Sequence, residues 1–164
     1  MIYQVGVQNK NFIINNSNVI IEYVWSDYRV YNHKFDVNDF YSYGYPLGFW
    51  AGPHAEQLYF QYNIKSNKTK FIIELSQSER GVIPIDYNDI LVERYTNVSE
   101  SKNIYSISIE HPFKDILLLK FGYSYISWEN SGFEPSESDM NNLNDIIKNN
   151  YFISANYSFK SISI

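Results

Sequence analysis

The chain has 164 residues, a net charge of −5, no cysteine and an aromatic content of 18%, with tyrosine alone at 16 positions. That length allows a single domain over 1–164, and the acidic balance with no basic run excludes nucleic acid as a partner. The missing cysteines exclude disulfides and thiolate metal sites.

No stretch approaches the roughly 18 apolar residues of a membrane-crossing helix. The opening residues, Met1 to Val7, lack a charged region followed by an apolar core, so no signal peptide is read there. They look like part of a strand. If the protein is exported, the expectation is a longer chain with further strands upstream.

Period-2 alternation dominates and predicts seven strands. The first, 2–8, puts Tyr3, Val5 and Val7 on one face. The second, 18–31, gathers Val19, Ile21, Tyr23 and Trp25 opposite Ile20, Glu22, Val24 and Ser26. The third, 57–65, sets Leu58, Phe60, Tyr62 and Ile64 against Gln57, Tyr59, Gln61, Asn63 and Lys65. The fourth, 69–78, sets Phe71, Ile73 and Leu75 against Lys70, Glu74 and Ser76. The fifth, 103–111, sets Tyr105, Ile107 and Ile109 against Ser106, Ser108 and Glu110. The sixth, 116–128, sets Leu117, Leu119, Phe121, Tyr123 and Tyr125 against Lys120, Gly122 and Ser124. The seventh, 151–161, sets Tyr151, Ile153, Ala155, Tyr157 and Phe159 against Ser154, Asn156, Ser158 and Lys160.

The connections alternate in length. Ser66-Asn67-Lys68 reads as a hairpin turn, and Pro112 to Asp115 as another, with Pro112 stopping a strand. Residues 9–17 form a medium, Asn-rich link. Three long connections, 32–56, 79–102 and 129–150, all fall at the opposite end. Within them, 86–95 and 139–149 have helical character, the latter from Met140, Leu143 and Ile147 behind Ser138. Short turns at one end and long loops at the other are the habit of transmembrane barrels.

Periodicity alone fits a soluble sandwich, with its apolar face inward, as well as a membrane barrel, with that face on lipid. Three features favour lipid. Stretches such as 18–31 and 116–128 exceed the ~5–6 residues usual in soluble strands, and about 9–11 residues cross a bilayer. Tyr23, Trp25, Tyr123, Tyr125, Trp128, Tyr151, Tyr157 and Phe159 crowd strand ends, where membrane–water interfaces favour such rings. The mid-strand charges Glu22, Lys70, Glu74, Glu110, Lys120 and Lys160 all take the polar face, where both signs can pair across strands. The expectation is therefore an all-β, antiparallel up-and-down transmembrane β-barrel, partial, with about seven strands. Its open edges would need the missing strands.

The stretch from Tyr41 to Tyr59 is the most distinctive: Gly44, Pro46, Gly48, Gly52 and Pro53 punctuate Tyr43, Tyr45, Phe49 and Trp50. Such a loop reads as ordered and folded over or into the barrel mouth. With Leu47-Gly48, Gly52-Pro53-His54, Glu56 and the preceding Asn32-His33, it resembles the capsule assembly Wzi family of outer-membrane barrels, departing from that pattern at Phe49-Trp50. The last strand, from Tyr151 to Phe159, is similar to the terminal strand of bacterial outer-membrane proteins, although Lys160 to Ile164 come after it. The resemblance implies a cell outer membrane location and a non-catalytic role in attaching or assembling surface polysaccharide such as capsule. It also implies glycan contacts at Tyr43, Tyr45, Trp50, His54 and Glu56. Flat rings suit sugar C–H groups, and polar side chains suit hydroxyls. Loop packing at the barrel mouth is the plainer explanation of any single ring.

No enzyme signature accompanies these features. His33, His54 and His111 lack ligand spacing for a metal, and no nucleophile elbow, P-loop or dinucleotide fingerprint occurs. The clusters Asp86, Asp89, Glu93 and Glu129, Glu134, Glu137, Asp139 read as solvated loop carboxylates. His111 lies at the short-turn end, unsuited to an outward-facing hydrolase site. No cofactor is expected, and the partners expected are membrane lipid and surface glycan. A porin or transporter channel and a soluble carbohydrate-binding sandwich stand as alternative readings.

Overall fold

A computed structural model describes residues 1–27, 51–52, 54–81, 99–113, 116–131, 133 and 143–157, together with the backbone of 41–42 and 45–46. The elements are β1 (Ile2–Lys10), β2 (Ser17–Ser26), β3 (Tyr41–Ser42), β4 (Tyr45–Pro46), β5 (Ala55–Ser66), β6 (Thr69–Arg80), β7 (Glu100–Phe113), β8 (Leu117–Ser131) and β9 (Asn144–Tyr157). Seven of them make one antiparallel sheet in the order β1-β2-β5-β6-β7-β8-β9, while β3 and β4 pair only with each other. Each strand lies beside its sequence neighbour, the up-and-down arrangement that the alternating short and long connections predict.

The sheet is open. β1 and β9 form its edges, and strict alternation of direction over seven strands leaves these two running the same way. Joining them would create a parallel seam.

Register fixes the faces, because directly paired residues share one side. One row runs Tyr62, Ile73, Ile107, Tyr123 and Tyr151 across β5 to β9. The next row on the same side holds Ile64, Phe71, Ile109, Phe121 and Ile153. This apolar face is bare: Ile107 is 53% exposed, Phe121 47%, Ile153 76% and Tyr151 81%. The opposite face carries Ile72 and Ser108, both 3% exposed, and Ser78, at 8%. From β6 to β9 the middle of the greasy side is open while Ile72, Ser78 and Ser108 on the polar side are covered; on β2, Val19 of the greasy side is buried. An ordinary soluble sheet has the reverse.

The polar face is tied together across strands. Lys70 and Lys120 both reach Glu110, at 3.9 and 3.4 Å. Tyr59 Oη and Gln61 Nε2 donate to Glu74 Oε1 at 3.0 and 2.9 Å, and Gln57 donates to Ser76. Phe152 lies on Gly122, where an added Cβ would run into the ring. The ring, on the edge strand and itself part exposed, fills the space a side chain at 122 would take and would have to swing aside to admit one.

The structure corrects three expectations and extends most strands by a few residues. Residues 144–149 are strand, not helix: Ile146, Ile147 and Lys148 pair with Trp128, Ser127 and Ile126. Ile147 suits either period, and fourteen residues of β9 lying along β8 decide between them. Pro112 does not stop β7 but pairs with Leu118. The β6 ladder has already ended at Lys70↔Glu110, so on that side a missing N–H interrupts nothing. Trp128 belongs to the polar face, opposite Lys102. The hairpin at Asn67 stands as expected, with Asn67 at φ 54°, a left-handed angle that Asn tolerates. The expected helix at 86–95, the second strand beyond Asp27, and Lys160 lie outside the described residues.

Candidate functional site

The long connections gather at one end of the sheet, and the described parts of two of them fold back onto it. Ser26, fully buried, accepts from the Ala55 N–H at 3.1 Å and donates to the Gly52 carbonyl at 2.8 Å. His54 is 4% exposed at φ 53°, and its carbonyl accepts from the Gly81 N–H at 2.9 Å. Ala51 is buried as well. The chain entering β5 is thus clamped between the ends of β2 and β6.

The third connection is turned inward by a bulge. Between Trp128↔Ile146 and Ser131↔Asn144 the register shifts, so Glu129 and Asn130 oppose Asp145 alone. Asn130 takes φ 55°, its N–H donates to Asp145 Oδ1 at 3.0 Å, and its Nδ2 donates to the Ser99 carbonyl at 2.7 Å. Bulges bend a strand and re-aim the residues beyond the bend. Here the result is Phe133, 1% exposed, with the Arg80 guanidinium 5.5 Å from its ring centroid.

Arg80 organises this end of the polar face. One Nη donates to the Phe133 carbonyl at 2.9 Å and lies 2.7 Å from Glu100. Trp128 Nε1 donates to the same carboxylate at 2.7 Å, and Lys102 Nζ sits 4.2 Å from the Trp128 ring centroid. A cavity of about 220 Å³ opens here among Ala51, Ser78, Arg80, Glu100, Lys102 and Trp128. Its charged groups already face one another.

A larger hollow, about 440 Å³, lies on the apolar side of the same end. Leu58 and the Tyr23 ring supply apolar surface there, and Glu56, Gln77, Ser101 and Asn103 supply polar groups. Tyr23 Oη donates to Glu56 Oε2 at 2.7 Å. Rings and amides in one open hollow suit a ligand with both C–H faces and hydroxyls.

Of the residues expected to contact glycan, Glu56 lines this hollow and His54 is buried beside it in sequence, committed through its backbone to the clamp. Tyr45 belongs to β4, with only its backbone described. Tyr43 and Trp50 lie outside the described residues. Tyr23, Gln77 and Asn103 were not legible as site residues in the sequence, because they become neighbours only through the register of β2, β5, β6 and β7. Tyr23, Leu58, Gln77 and Asn103 form one paired row.

Among the described residues no group of three or more His, Cys, Asp or Glu side chains could hold a metal ion, and no helix is long and apolar enough to cross a membrane. Comparison with protein-family models, with curated proteins and with solved structures gives no match.

Proposed function

We propose that this sheet is a wall of an outer-membrane β-barrel that engages surface polysaccharide without catalysis. The observation that carries the reading is the inverted exposure: Ile107, Phe121 and Ile153 are open while Ser78 and Ser108 are covered. In water such a face would be a large sticky patch; against acyl chains it is the ordinary outer surface of a barrel. The ion pairs of Glu110 then line the lumen. On the outer face at the loop end, in the row of Ser101, the Tyr3 and Trp25 rings meet at 5.5 Å, as in an interfacial girdle.

Closing such a barrel with antiparallel seams takes an odd number of further strands between β9 and β1, because these edges run the same way. Two copies in one membrane orientation would meet in parallel seams instead. The hollow at Tyr23 and Glu56 opens at the outer rim, where surface glycan would lie. Phe133 and Ala51 fold over the loop end of the polar face, which favours this reading over an open channel.

The test is binding of the native capsular or exopolysaccharide to the chain in bilayers. Glu56→Gln and Asn103→Ala should each weaken it about tenfold, the loss of one or two hydrogen bonds to a charged or amide group. Absence of glycan binding, together with large open-channel conductance, overturns the glycan role.

A further inference from the structure

The short-turn end of the polar face carries more cation than its own ion pairs use. Directly paired residues there form two adjacent rows. One runs Lys65, Lys70, Glu110 and Lys120 across β5 to β8. The next, one step inward, begins with Lys10, Asn18 and Asn63 and ends with Gly122 under Phe152. Glu110, the one carboxylate in these rows, already holds Lys70 at 3.9 Å and Lys120 at 3.4 Å. Lys10 and Lys65 are exposed and meet no carboxylate among the described residues. Lys65 instead stands directly opposite Lys70, and like charges so placed destabilise a sheet. The fold gains nothing from that placement.

The surroundings are those of a sugar site. Gln8 Nε2 donates to Asn18 Oδ1 at 3.0 Å and Asn63 Nδ2 to Gln61 Oε1 at 3.4 Å, so a band of carboxamides borders the lysines. Each amide can make further hydrogen bonds. Ser108, beside Gly122 in the inner row, is 3% exposed, and its Oγ has no hydrogen-bond partner among the described residues. Lys120 Nζ lies 5.8 Å from the centroid of the part-exposed Phe152 ring, and such rings suit sugar C–H groups. From Lys65 to Lys120 is three strand steps, about 14 Å, the reach of a short oligosaccharide.

We infer that this end of the polar face is a second carbohydrate site, distinct from the Tyr23–Glu56 hollow, that takes an oligosaccharide bearing carboxylates. Lys10 and Lys65 meet the carboxylates, the amides meet hydroxyls, and Phe152 supports a sugar's C–H side. The site is built on the polar face alone, so it stands whatever covers the apolar one.

The full chain in zwitterionic detergent micelles is titrated calorimetrically with three probes. They are trigalacturonate, its methyl ester (the same rings without the charge) and an N-acetylated, amidated triglutamate (the same charge without the rings). Trigalacturonate should bind about tenfold more tightly than either of the others. Lys10→Gln with Lys65→Gln should remove that advantage and leave the urea midpoint unchanged or higher, since neither lysine holds a carboxylate. Lys148→Gln, on the same face toward the loop end, should change nothing. Equal affinity for acid and ester, no binding of the acid, or an advantage that survives the double change overturns the inference. Preference for the peptide overturns the carbohydrate assignment and gives the patch to an acidic protein segment. Native polysaccharide binding that responds to Glu56→Gln and not to the two lysines leaves the proposed function standing, whichever way the trigalacturonate titration falls.

Discussion

Replacing Ile107 by lysine puts a charge at the middle of the apolar face. Ile107 is central in β7 and 53% exposed. A substitution at an exposed site in water shifts stability by no more than about 0.5 kcal/mol. At a bilayer midplane a lysine on the lipid side of a barrel costs about 2–4 kcal/mol. The effect should fade with depth. Phe113 lies six residues further along β7 on the same face, 50% exposed. At about 3.3 Å per residue that is roughly 20 Å along the strand. With a tilt near 40° it is about 15 Å along the membrane normal, at the edge of a band about 25 Å tall. Phe113→Lys should therefore cost at most about 1 kcal/mol from lipid exposure. Urea titrations of the chain in phospholipid vesicles, read by tryptophan fluorescence, compare the two. Equal small effects, or a larger loss at Phe113, refute the lipid-facing assignment.

Other perturbations probe the packing that holds the faces apart. Gly122→Ala places a Cβ against the Phe152 ring and should destabilise by about 1–3 kcal/mol. Phe152→Ala in the same chain should remove most of that penalty in a double-mutant cycle. Arg80→Ala strips Glu100 of its ion pair and Phe133 of its carbonyl partner, for an expected loss of about 1–3 kcal/mol in urea unfolding. An unchanged midpoint would mean the inward fold of Phe133 does not depend on Arg80.

What the sequence made legible is what strict alternation controls. All seven strands of the sheet, their two faces and the segregation of Lys70, Glu74, Glu110 and Lys120 derive from period 2. Elements governed by long-range pairing were less readable. Ile147 fits a helix with Met140 and Leu143, and equally a strand with Asn149 and Tyr151; only pairing with β8 selects the strand. Trp128 obeys the same alternation as Tyr125, three residues earlier, and so takes the opposite face. Counting rings near strand ends, without counting parity, hid this. The bulge at Asn130, which delivers Phe133 to Arg80, is a single left-handed angle with no local sequence period to announce it. The hollow at Tyr23 and Glu56 likewise depends on register across four strands, beyond the reach of any contiguous motif.

The lipid-facing assignment is read most directly by a cysteine scan through β7 from Ile104 to Glu110, one labelled site per chain, with quenching by lipid-borne nitroxide measured in bilayers. A wall with its apolar side on acyl chains gives a two-residue rhythm, with strong quenching at 105, 107 and 109 and little at 104, 106, 108 and 110. A flat profile, or the opposite rhythm, would contradict it.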